Sequence, residues 1–416
     1  MNAEIFCIGT EVLIGDIVNT NAAYIAKKLS EAGINVYYHS VCGDNVERIE
    51  KCLDTAFSRS DLVITTGGLG PTYDDITKEI IAKKLGLELE ENSDIIRRLE
   101  EHFKKSGRTM TDNNRKQAMI PKGAYIFENR YGTADGIAVE SGGKKVIMLP
   151  GPPREVQPML DEQVIPYLSG EAEYVLVSSN VNIFGMGEST VETTLGDLMQ
   201  TSENPTVAPY VNAGEVRLRV TARGKDRDEA RALIAPVVEK IKSLIGDAVY
   251  GVDEKSIESV LVRKLSEKKK KIAFAESCTG GLISKRLTDV PGASEVFGYG
   301  FTTYANEAKE ALLGVKRETL EMHGAVSSET AEEMALGALK ASGADIAISV
   351  TGIAGPGGGT AEKPVGLVYM GIASSSGCHT KKLLLAQYSS SPDRDFIRTL
   401  TATNAFKAGI EELEKL

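Results

Sequence analysis

The sequence lacks features that are typical of several protein classes: paired cysteines, an excess of basic residues and long apolar runs. Its five cysteines show no CxxC spacing, so we expect reduced thiols, a cytoplasmic location and no structural zinc. Acidic residues outnumber basic ones by 58 to 48, and the formal charge of −10 argues against a broad nucleic-acid or membrane surface. No apolar run is long enough to span a bilayer, and the first residues lack a basic leader. Anionic small molecules remain open as ligands, because they need only a local cluster of donors.

The length of the chain and its alternation of strand and helix patterns predict its domain organisation. At 416 residues it is long enough for two or three domains. Residues 1–168 and 255–416 alternate strand and helix patterns, which predicts sheets with helices on both faces. Residues 172–250 read as a small α+β module, with linkers at 169–171 and 251–255. The predicted fold class is α/β: two three-layer α/β domains with mainly parallel sheets, joined by a small α+β module.

The stretch Ala275-Glu276-Ser277-Cys278-Thr279-Gly280-Gly281 combines a strand end, a glycine turn and a helix start. Such a turn presents Ser277 at the carboxyl end of a strand, beside backbone N–H groups that have no helical partner. A nucleophile next to free donors suits acyl chemistry, because one attacks the carbonyl and the others stabilise the oxyanion. We expect the amides of residues 279–281 to hold that oxyanion. The alternative is an ordinary β-to-α turn in which serine and threonine cap the helix.

Three further loops follow predicted strands in the first domain. They cover residues 9–11, 65–77 and 149–155, and each is rich in glycine or proline or carries polar side chains. Because open α/β sheets bind ligands at the carboxyl ends of their parallel strands, we expect one ligand site at this edge. Glycines let the backbone approach an anion, and the amides of a helix start face it. The alternative is turn chemistry alone.

The residues expected at this site follow from the three loops. Asp74 and Asp75 either cap a helix predicted over 75–85 or hold a divalent cation against phosphate oxygens, with Asp16 the next best placed. The expected nucleotide-binding residues are Gly9, Thr10, Glu11, Asn19, Thr66, Gly67, Gly68, Gly70, Pro71, Thr72, Pro150, Gly151 and Pro152.

These motifs together resemble one family. Gly9-Thr10-Glu11, the segment 65–72 with Asp74-Asp75, and Pro150-Gly151-Pro152-Pro153 look like the molybdopterin-binding-like (MoaB/MogA-type) domain of the CinA family. Glu276-Ser277-Cys278-Thr279-Gly280-Gly281 is similar to the C-terminal amidase domain of that family. The resemblance runs nearly end to end, and its order of domains agrees with the boundaries predicted above.

The resemblance implies a bifunctional nucleotide hydrolase of pyridine-nucleotide salvage. It implies that the N-terminal domain hydrolyses ADP-ribose to AMP and ribose 5-phosphate with a divalent metal ion; a monovalent cation is a further expectation. It implies that the C-terminal domain, without a cofactor, deamidates nicotinamide mononucleotide to nicotinate mononucleotide and ammonia. The middle module would be KH-like, but it has no GxxG loop, so no nucleic-acid partner is expected. We expect no membrane partner and a homodimer.

For the amidase domain the resemblance makes Ser277 the nucleophile and Lys309 the base, with Tyr304 and Thr279 as further catalytic residues. If Asn306 caps the helix predicted over 306–313, Lys309 lies in its first turn, where the helix dipole and burial lower the pKa of an ammonium. The alternatives are a solvated lysine and, for Tyr304, a half-buried ring at a strand end. Cys278 is the rival nucleophile, but neighbours in an extended turn point opposite ways.

The remaining amidase residues are expected to bind substrate. The glycine-rich loop 352–359 can wrap a phosphate or ribose, and Thr351 supplies a hydroxyl at a strand end. Arg394 opens the last helix and can bind a phosphate through two N–H groups, unless it pairs with Asp393 or Asp395 at the surface. The expected substrate-binding residues are Glu276, Gly280, Gly281, Thr351, Gly352, Gly355 and Arg394.

Two other functions stay open on sequence alone. In the first, the N-terminal domain binds molybdopterin or a nucleotide without catalysis, and the protein has a regulatory role linked to competence. In the second, the protein binds nucleic acid. The second is the weaker, because the chain is acidic and shows no interleaving of basic and aromatic residues.

Overall fold

The computed structural model describes residues 1–168, 174–212 and 214–416. The linker predicted at 169–171 lies outside the described residues. The chain forms two compact units, one of Met1–Ser178 with Ala222–Leu233 and one of Ser179–Thr221 with Ile234–Leu416. Within the part of the chain that is described, no helix is both long and apolar enough to cross a membrane.

The first 168 residues are organised on a six-stranded mixed sheet. Their strands β1 to β8 are Asn2–Ile8, Asn35–Cys42, Leu62–Thr66, Leu89–Glu91, Met119–Pro121, Tyr125–Phe127, Gly136–Ser141 and Lys144–Leu149. The order in the sheet is β2-β1-β3-β8-β7-β6, and β4 pairs with β5 separately. The four strands β2, β1, β3 and β8 are parallel, whereas β7 and β6 run antiparallel to their neighbours. The carboxyl ends of the parallel strands therefore share one edge.

Helices cover both faces of this sheet. Helices α1 to α7 are Thr10–Leu13, Thr20–Glu31, Val46–Arg59, Thr77–Leu85, Ser93–Lys105, Pro153–Met159 and Ile165–Leu168. Successive residues of β1 point to opposite faces, so Phe6 joins one buried apolar cluster with α3 and α4, and Ile5 joins another with α2 and α6. The predicted three-layer α/β arrangement is confirmed for this region.

The middle module is a four-stranded sheet with helices. Strands β9 to β12 are Val175–Phe184, Thr206–Asn212, Glu215–Gly224 and Val249–Val252, in the order β10-β11-β9-β12. Helices α8 to α10 are Glu188–Leu195, Asp197–Gln200 and Arg227–Ile245. The linker predicted at 251–255 is wrong at its start, because Gly251 and Val252 pair with β9 as part of β12.

The C-terminal region has a five-stranded mixed sheet. Strands β13 to β17 are Ile272–Glu276, Phe297–Thr302, Ile346–Gly352, Leu367–Ser374 and Gly377–Leu384. Helices α11 to α17 are Ile257–Lys268, Leu282–Thr288, Ala293–Val296, Asn306–Leu313, Arg317–His323, Ser328–Ser342 and Arg394–Leu413. The order is β14-β13-β15-β16-β17, with the first three strands parallel and the last two antiparallel.

The two faces of the C-terminal sheet hold separate apolar cores. Phe274 packs with residues of α11, α12 and α17 on one face, while Ala273 packs with residues of α14, α15 and α16 on the other. Strand β13 lies between two parallel neighbours and is buried along its whole length. Its carboxyl end is therefore a fixed point on which a site can be built.

Candidate active sites

Ser277 lies immediately after β13, at the end of the sheet pairing. Its N–H donates to the carbonyl oxygen of Val350 (3.0 Å), and its own carbonyl accepts the N–H of Gly280 (3.1 Å). Gly280 and Gly281 have φ angles of +58° and +93°, which side chains rarely adopt. The turn therefore needs its glycines, and it presents Ser277, 9% exposed, at the strand end as predicted.

Lys309 lies beside this serine. Its Nζ is 3.2 Å from Ser277 Oγ and donates to the carbonyl oxygens of Thr303 (2.8 Å) and Tyr304 (3.2 Å). The residue is fully buried, and this burial lowers the pKa of its ammonium group. A neutral amine can donate its two hydrogens to the two carbonyls, which only accept, and keep its lone pair for the serine hydroxyl. The surroundings thus favour the form of lysine that can act as a base.

The helix that carries Lys309 is not capped as predicted. The N-cap is Ala305, which makes no side-chain hydrogen bond, and Asn306 is the first helical residue. Lys309 is consequently the fourth residue of α14, and its N–H donates to Ala305. The ammonium still lies close to the helix start, where the dipole disfavours positive charge.

Cys278 is separated from this pair. Its side chain is buried in the apolar cluster that includes Phe274, and burial raises the pKa of its thiol to about 12. A thiol that stays protonated is a weak nucleophile. The hydroxyl of Ser277, and not the neighbouring thiol, is the group within hydrogen-bonding distance of Lys309.

The Glu276 carboxylate occupies the start of α12. One oxygen accepts the N–H groups of Gly281 and Ile283 (both 3.0 Å), and the other accepts the N–H (2.8 Å) and hydroxyl (2.7 Å) of Ser284. The residue is fully buried, so its role here is to cap the helix. The N–H of Gly280 is also bonded, which differs from the oxyanion donors predicted for residues 279–281.

Two amides of the turn remain as donors for an oxyanion. Among the described residues, no other residue accepts the N–H of Cys278 or of Thr279, and the Cys278 N–H lies close to its own thiol. The Thr279 hydroxyl is likewise buried and has no partner in the described part of the chain. Unused buried donors beside a nucleophile suit a charge that forms only during a reaction.

Arg394 connects three parts of the site. Its guanidinium donates to the carbonyl oxygen of Gly355 (2.8 Å) and to the phenolic oxygen of Tyr304 (3.0 Å). Asp393 instead caps α17 by accepting the N–H of Phe396 (2.7 Å). The Tyr304 side chain, with 62% of its surface exposed, thus orients Arg394 and makes no hydrogen bond to Lys309.

Thr351 and Gly352 have mainly structural contacts. The Thr351 hydroxyl donates to the carbonyl oxygen of Ala325 (2.6 Å), and Gly352 pairs with Val368 at the end of β15. Hydrogen bonds therefore join Ser277, Lys309, Tyr304, Arg394 and Gly355 in one chain of contacts, whereas Thr351 is tied to the loop before α16.

In the N-terminal region, a cavity of about 510 Å³ opens at the carboxyl ends of the parallel strands. All the predicted nucleotide-binding residues except Thr10 line it, as do Asp74 and Asp75, whereas Asp16 does not. Thr10 donates through its N–H and its hydroxyl to the carboxylate of Asp44 (both 2.9 Å), which does line the cavity. The three predicted loops thus meet at one cavity.

Asp74 and Asp75 shape a turn instead of capping α4. The Thr72 N–H donates to Asp75 (2.8 Å), and the Thr72 hydroxyl bonds to both carboxylates, so the helix begins only at Thr77. The hydrogen bond from Thr72 lowers the pKa of Asp74. No group of three or more metal-binding side chains occurs in the described residues. The side chains of Asp74 and Asp75 still fit a magnesium-like cation, which completes its shell with water and substrate phosphate oxygens.

Family models match three consecutive parts of the chain. They are described as "Probable molybdopterin binding domain" (residues 4–170), "Damage-inducible protein CinA KH domain" (178–251) and "CinA C-terminal domain" (254–413). A competence-damage inducible protein of Thermoanaerobacter pseudethanolicus is 51% identical over 405 residues, which cover 97% of each chain. The chain belongs to the CinA family.

A second relative agrees with this assignment and confirms the resemblance predicted above. A competence-damage inducible protein of Clostridium perfringens is 50% identical over 417 residues and covers the whole of both chains. A crystal structure of a competence/damage-inducible protein from Agrobacterium tumefaciens is 42% identical over 38% of this chain and 96% of its own, with a TM-score of 0.35.

Sequence reasoning missed Arg398 in the C-terminal domain of this CinA chain. Its Nε and Nη2 donate to the carbonyl oxygen of Thr279 (3.2 and 2.6 Å), one helical turn beyond Arg394. The N–H of Gly280, which belongs to the same peptide group as this carbonyl, donates to the carbonyl oxygen of Ser277. Hydrogen bonds at both ends of this peptide group thus hold the turn. The spacing of four residues between the arginines was an available signal, because such residues share one helix face.

The N-terminal cavity of this CinA chain also contains polar residues that sequence reasoning missed. Asn21 donates to the Thr66 hydroxyl (3.2 Å) and to the Gly151 carbonyl, and Thr66 donates to Pro150 (2.7 Å), so the loops after β3 and β8 are tied together. Asp44, which follows β2, could have been found as one more polar residue at a strand end. The missed polar lining residues include Thr20, Asn21, Asp44, Gln117, Thr133 and Glu155.

Proposed function

We propose that this chain is a bifunctional nucleotide hydrolase whose C-terminal domain deamidates nicotinamide mononucleotide and whose N-terminal domain hydrolyses ADP-ribose. The observation that carries the first activity is the buried Lys309 Nζ, 3.2 Å from Ser277 Oγ. A serine and a lysine so arranged are a nucleophile with its base. Membership of the CinA family supports the choice of substrate.

In the deamidation, Lys309 takes the proton of Ser277 as Oγ bonds to the carboxamide carbon of the nicotinamide. The N–H groups of Cys278 and Thr279 stabilise the negative charge that develops on the carboxamide oxygen. Lys309 returns the proton to the leaving nitrogen, the C–N bond breaks, and ammonia departs. Water then adds to the Ser277 ester and gives a proton to Lys309. The bond between the acyl carbon and Oγ breaks, Lys309 returns the proton to Oγ, and nicotinate mononucleotide leaves.

Arg394 and the glycine-rich loop 352–359 bind the phosphate of the substrate. Arg394 uses two nitrogens on Gly355 and Tyr304, so its remaining N–H groups are available to a phosphate. Because the same side chain contacts the loop at Gly355, phosphate binding would also fix the loop 352–359. This contact supports a mononucleotide over a simple amide as substrate.

In the N-terminal domain, the glycine loop 67–70 binds the diphosphate of ADP-ribose through its backbone N–H groups. The packing of this loop requires Gly67 and Gly68, because a Cβ on either would lie 2.0 Å from an oxygen atom, of Ile8 and Thr77 respectively. Asp74 and Asp75 would hold a divalent cation, which neutralises phosphate charge when bound. The products are AMP and ribose 5-phosphate.

One experiment tests both activities. Ammonia release from nicotinamide mononucleotide and AMP release from ADP-ribose are measured for the wild type, Ser277→Ala and Cys278→Ala. Ser277→Ala should lose deamidation by at least about 10³-fold and keep ADP-ribose cleavage, because it removes only the nucleophile. Cys278→Ala, the matched control, should deamidate within about threefold of wild type, because its thiol is protonated and apart from Lys309. Full deamidation by Ser277→Ala would exclude this mechanism.

A second candidate for the N-terminal domain is binding without hydrolysis. The matching family model is described as a molybdopterin binding domain, and the described residues contain no cluster of three metal-binding side chains. Retained ADP-ribose binding with no AMP in the presence of magnesium, manganese or cobalt would favour this candidate over hydrolysis.

A further inference from the structure

Arg398 lies on α17, one turn after Arg394, and contacts the turn that follows β13. Its Nε and Nη2 both donate to the carbonyl oxygen of Thr279, at 3.2 and 2.6 Å. The side chain is half-buried, and no carboxylate of the described residues forms an ion pair with it. By contrast, Arg286 on α12 pairs with Glu258 at 2.9 Å. The charge of Arg398 is therefore not neutralised by a carboxylate and acts on the peptide group that it contacts.

Two peptide groups connect Arg398 to the nucleophile. The Thr279 carbonyl belongs to the same peptide group as the Gly280 N–H, which donates to the carbonyl oxygen of Ser277 (3.1 Å). That carbonyl in turn shares its peptide group with the N–H of Cys278, one of the two donors assigned to the oxyanion. The Cys278 N–H lies close to its own thiol, and a sulfur atom is only a weak acceptor. The hydrogen bonds thus run from the guanidinium through two peptide groups to an oxyanion donor.

This arrangement strengthens the donor at its end. A hydrogen bond to a peptide carbonyl draws electron density toward the oxygen, so the N–H of the same group becomes a better donor. The first bond here comes from a cation, and such charge-assisted bonds are roughly twice as strong as neutral ones. Ser277 and Thr279 are 9% and 0% exposed, so water screens the charge little. Arg398 therefore acts on the Cys278 N–H without being in contact with it.

A nearby negative charge gives this effect a purpose. The Glu276 carboxylate, which caps α12, is fully buried and directly precedes Ser277. Burial raises the pKa of the Cys278 thiol most, the Glu276 carboxylate raises it further, and the Arg398 guanidinium lowers it. An anion that forms at this turn is thus opposed by Glu276 and favoured by Arg398. The oxyanion of an acyl transfer to Ser277 is such an anion.

We propose that Arg398 is a positioning residue of the deamidase, whose charge strengthens the Cys278 N–H as an oxyanion donor through the two intervening peptide groups. This role rests on the proposed function, in which Ser277 is the nucleophile. Arg398 then assists every acyl transfer to Ser277, whatever the substrate, and Arg394 binds the phosphate. Loss of Arg398 should lower kcat and leave KM nearly unchanged.

The test uses an acyl donor that has no phosphate. In the reaction with p-nitrophenyl acetate, Oγ of Ser277 bonds to the acetyl carbon, its proton passes to Lys309, and p-nitrophenolate leaves. The release of p-nitrophenolate is measured, and the rate of Ser277→Ala is subtracted. Arg398→Ala should acylate about 30-fold more slowly than the wild type, less than the loss of a whole oxyanion donor costs. Its kcat for nicotinamide mononucleotide should fall by a similar factor, with KM within about twofold of wild type.

Added guanidinium separates the charge of Arg398 from its support of the turn. Guanidinium chloride at about 20 mM should speed acylation of Arg398→Ala at least about fivefold, because it returns a planar cation to the Thr279 carbonyl. Urea has the same shape and N–H groups but no charge, so it should restore nothing beyond an equal concentration of sodium chloride. Arg317→Ala, the matched control, lacks an exposed arginine that pairs with Glu321 and should acylate at the wild-type rate without a response to guanidinium.

The results decide between charge and support. Wild-type acylation by Arg398→Ala, equal rescue by urea, or no rescue by guanidinium would overturn the proposal. Should Arg398→Ala not fold, Arg398→Lys keeps a charge and should acylate about tenfold faster than the neutral Arg398→Gln; equal rates would overturn the proposal.

The same measurements keep this role apart from the choice of substrate. If the wild type releases no ammonia from nicotinamide mononucleotide but Arg398→Ala acylates slowly and guanidinium restores it, the substrate is wrong and the role of Arg398 stands. If the wild type deamidates and Arg398→Ala acylates normally, the proposed function stands and the role of Arg398 fails. Equal reaction of Ser277→Ala and wild type with the ester would overturn both the nucleophile and the role of Arg398.

Discussion

Two buried lysines, one in each unit of the chain, have closely similar surroundings. Lys309 is the fourth residue of α14 and Lys78 the second residue of α4, and 0% and 4% of their surfaces are exposed. Each ammonium donates to two consecutive carbonyl oxygens: those of Thr303 and Tyr304 for Lys309, and those of residues 116 and 117 for Lys78. Burial lowers the pKa of both. Burial and the direction of the pKa shift alone make each of them a candidate for a base.

The two lysines differ in the third group that lies beside the amine. Lys309 has the hydroxyl of Ser277 at 3.2 Å, whereas the described hydrogen bonds of Lys78 go only to carbonyl oxygens (2.7 and 3.4 Å). A carbonyl has no proton to give, so a neutral Lys78 has nothing to deprotonate. Lys78 instead holds the turn that carries Gln117 against the first cavity. A lowered lysine pKa therefore indicates a base only where an acidic hydrogen lies within reach.

The largest expected effect comes from removing each amine in turn. Lys309→Met should lower kcat/KM for deamidation of nicotinamide mononucleotide by at least about 10³-fold, because no other base lies next to Ser277 in the described residues. Lys78→Met should leave the deamidation rate within about twofold of wild type, because the amine of Lys78 makes its hydrogen bonds in the N-terminal unit. Steady-state ammonia release measures both. The assignment of Lys309 as the base and Lys78 as a structural residue would be wrong if Lys309→Met deamidates at the wild-type rate or if the two variants lose deamidation equally.

The pH dependence of deamidation sharpens the same contrast. Lys309 acts as a base only when neutral, so kcat/KM should rise about tenfold per pH unit below its pKa and level off above it. Because burial lowers that pKa, the rise should end at a pH below the ordinary lysine value of 10.5. Lys309→Arg should show no such rise, since a guanidinium stays charged throughout. A wild-type rise that continues to pH 10.5 would mean that the pKa of Lys309 is not lowered, and a profile without any such rise would mean that Lys309 is not the base.

The pair of Ser277 and Lys309 shows what sequence can and cannot predict. The strand, glycine turn and helix around Ser277 follow from local patterns, and the structure has them. The role of Lys309 came from the family resemblance, because a lysine near a helix start looks the same in sequence at position 78. Their contact depends on β14, which sequence reasoning did not predict. Its segment Phe297–Thr302 contains two glycines, which weaken a strand signal.

Packing explains one of those glycines. A Cβ at Gly300 would lie 2.5 Å from the hydroxyl oxygen of Ser284 on α12, so this strand needs glycine where it meets the helix behind the Ser277 turn. The N-terminal site was more predictable, because its loops follow strand ends that any parallel sheet brings together. Gln117 was missed there because it reaches the cavity from outside those loops, through tertiary packing that has no local pattern. Glu155 lies within the loop 149–155 but was not named among the binding residues.

The smallest expected effect concerns the stability of the N-terminal unit. Burial lowers the pKa of Lys78 to about 8 from 10.5, so between these values the unfolded chain binds more protons than the folded one. Stability therefore rises with pH in this window, as the cost of burying an ammonium is relieved. Relative to Lys78→Met, which lacks this titration, the wild type should gain about 1 kcal/mol in free energy of unfolding from pH 7 to pH 9.

Urea unfolding of the wild type, Lys78→Met and Lys83→Met at both pH values measures this gain. Lys83 lies on the same helix with 76% of its side chain exposed, so Lys83→Met should follow the wild type at both pH values. A constant difference between wild type and Lys78→Met would show that Lys78 keeps an ordinary pKa despite its burial. The two lysines would then differ in protonation as well as in their neighbours, and the hydroxyl of Ser277 would no longer be the sole distinction between them.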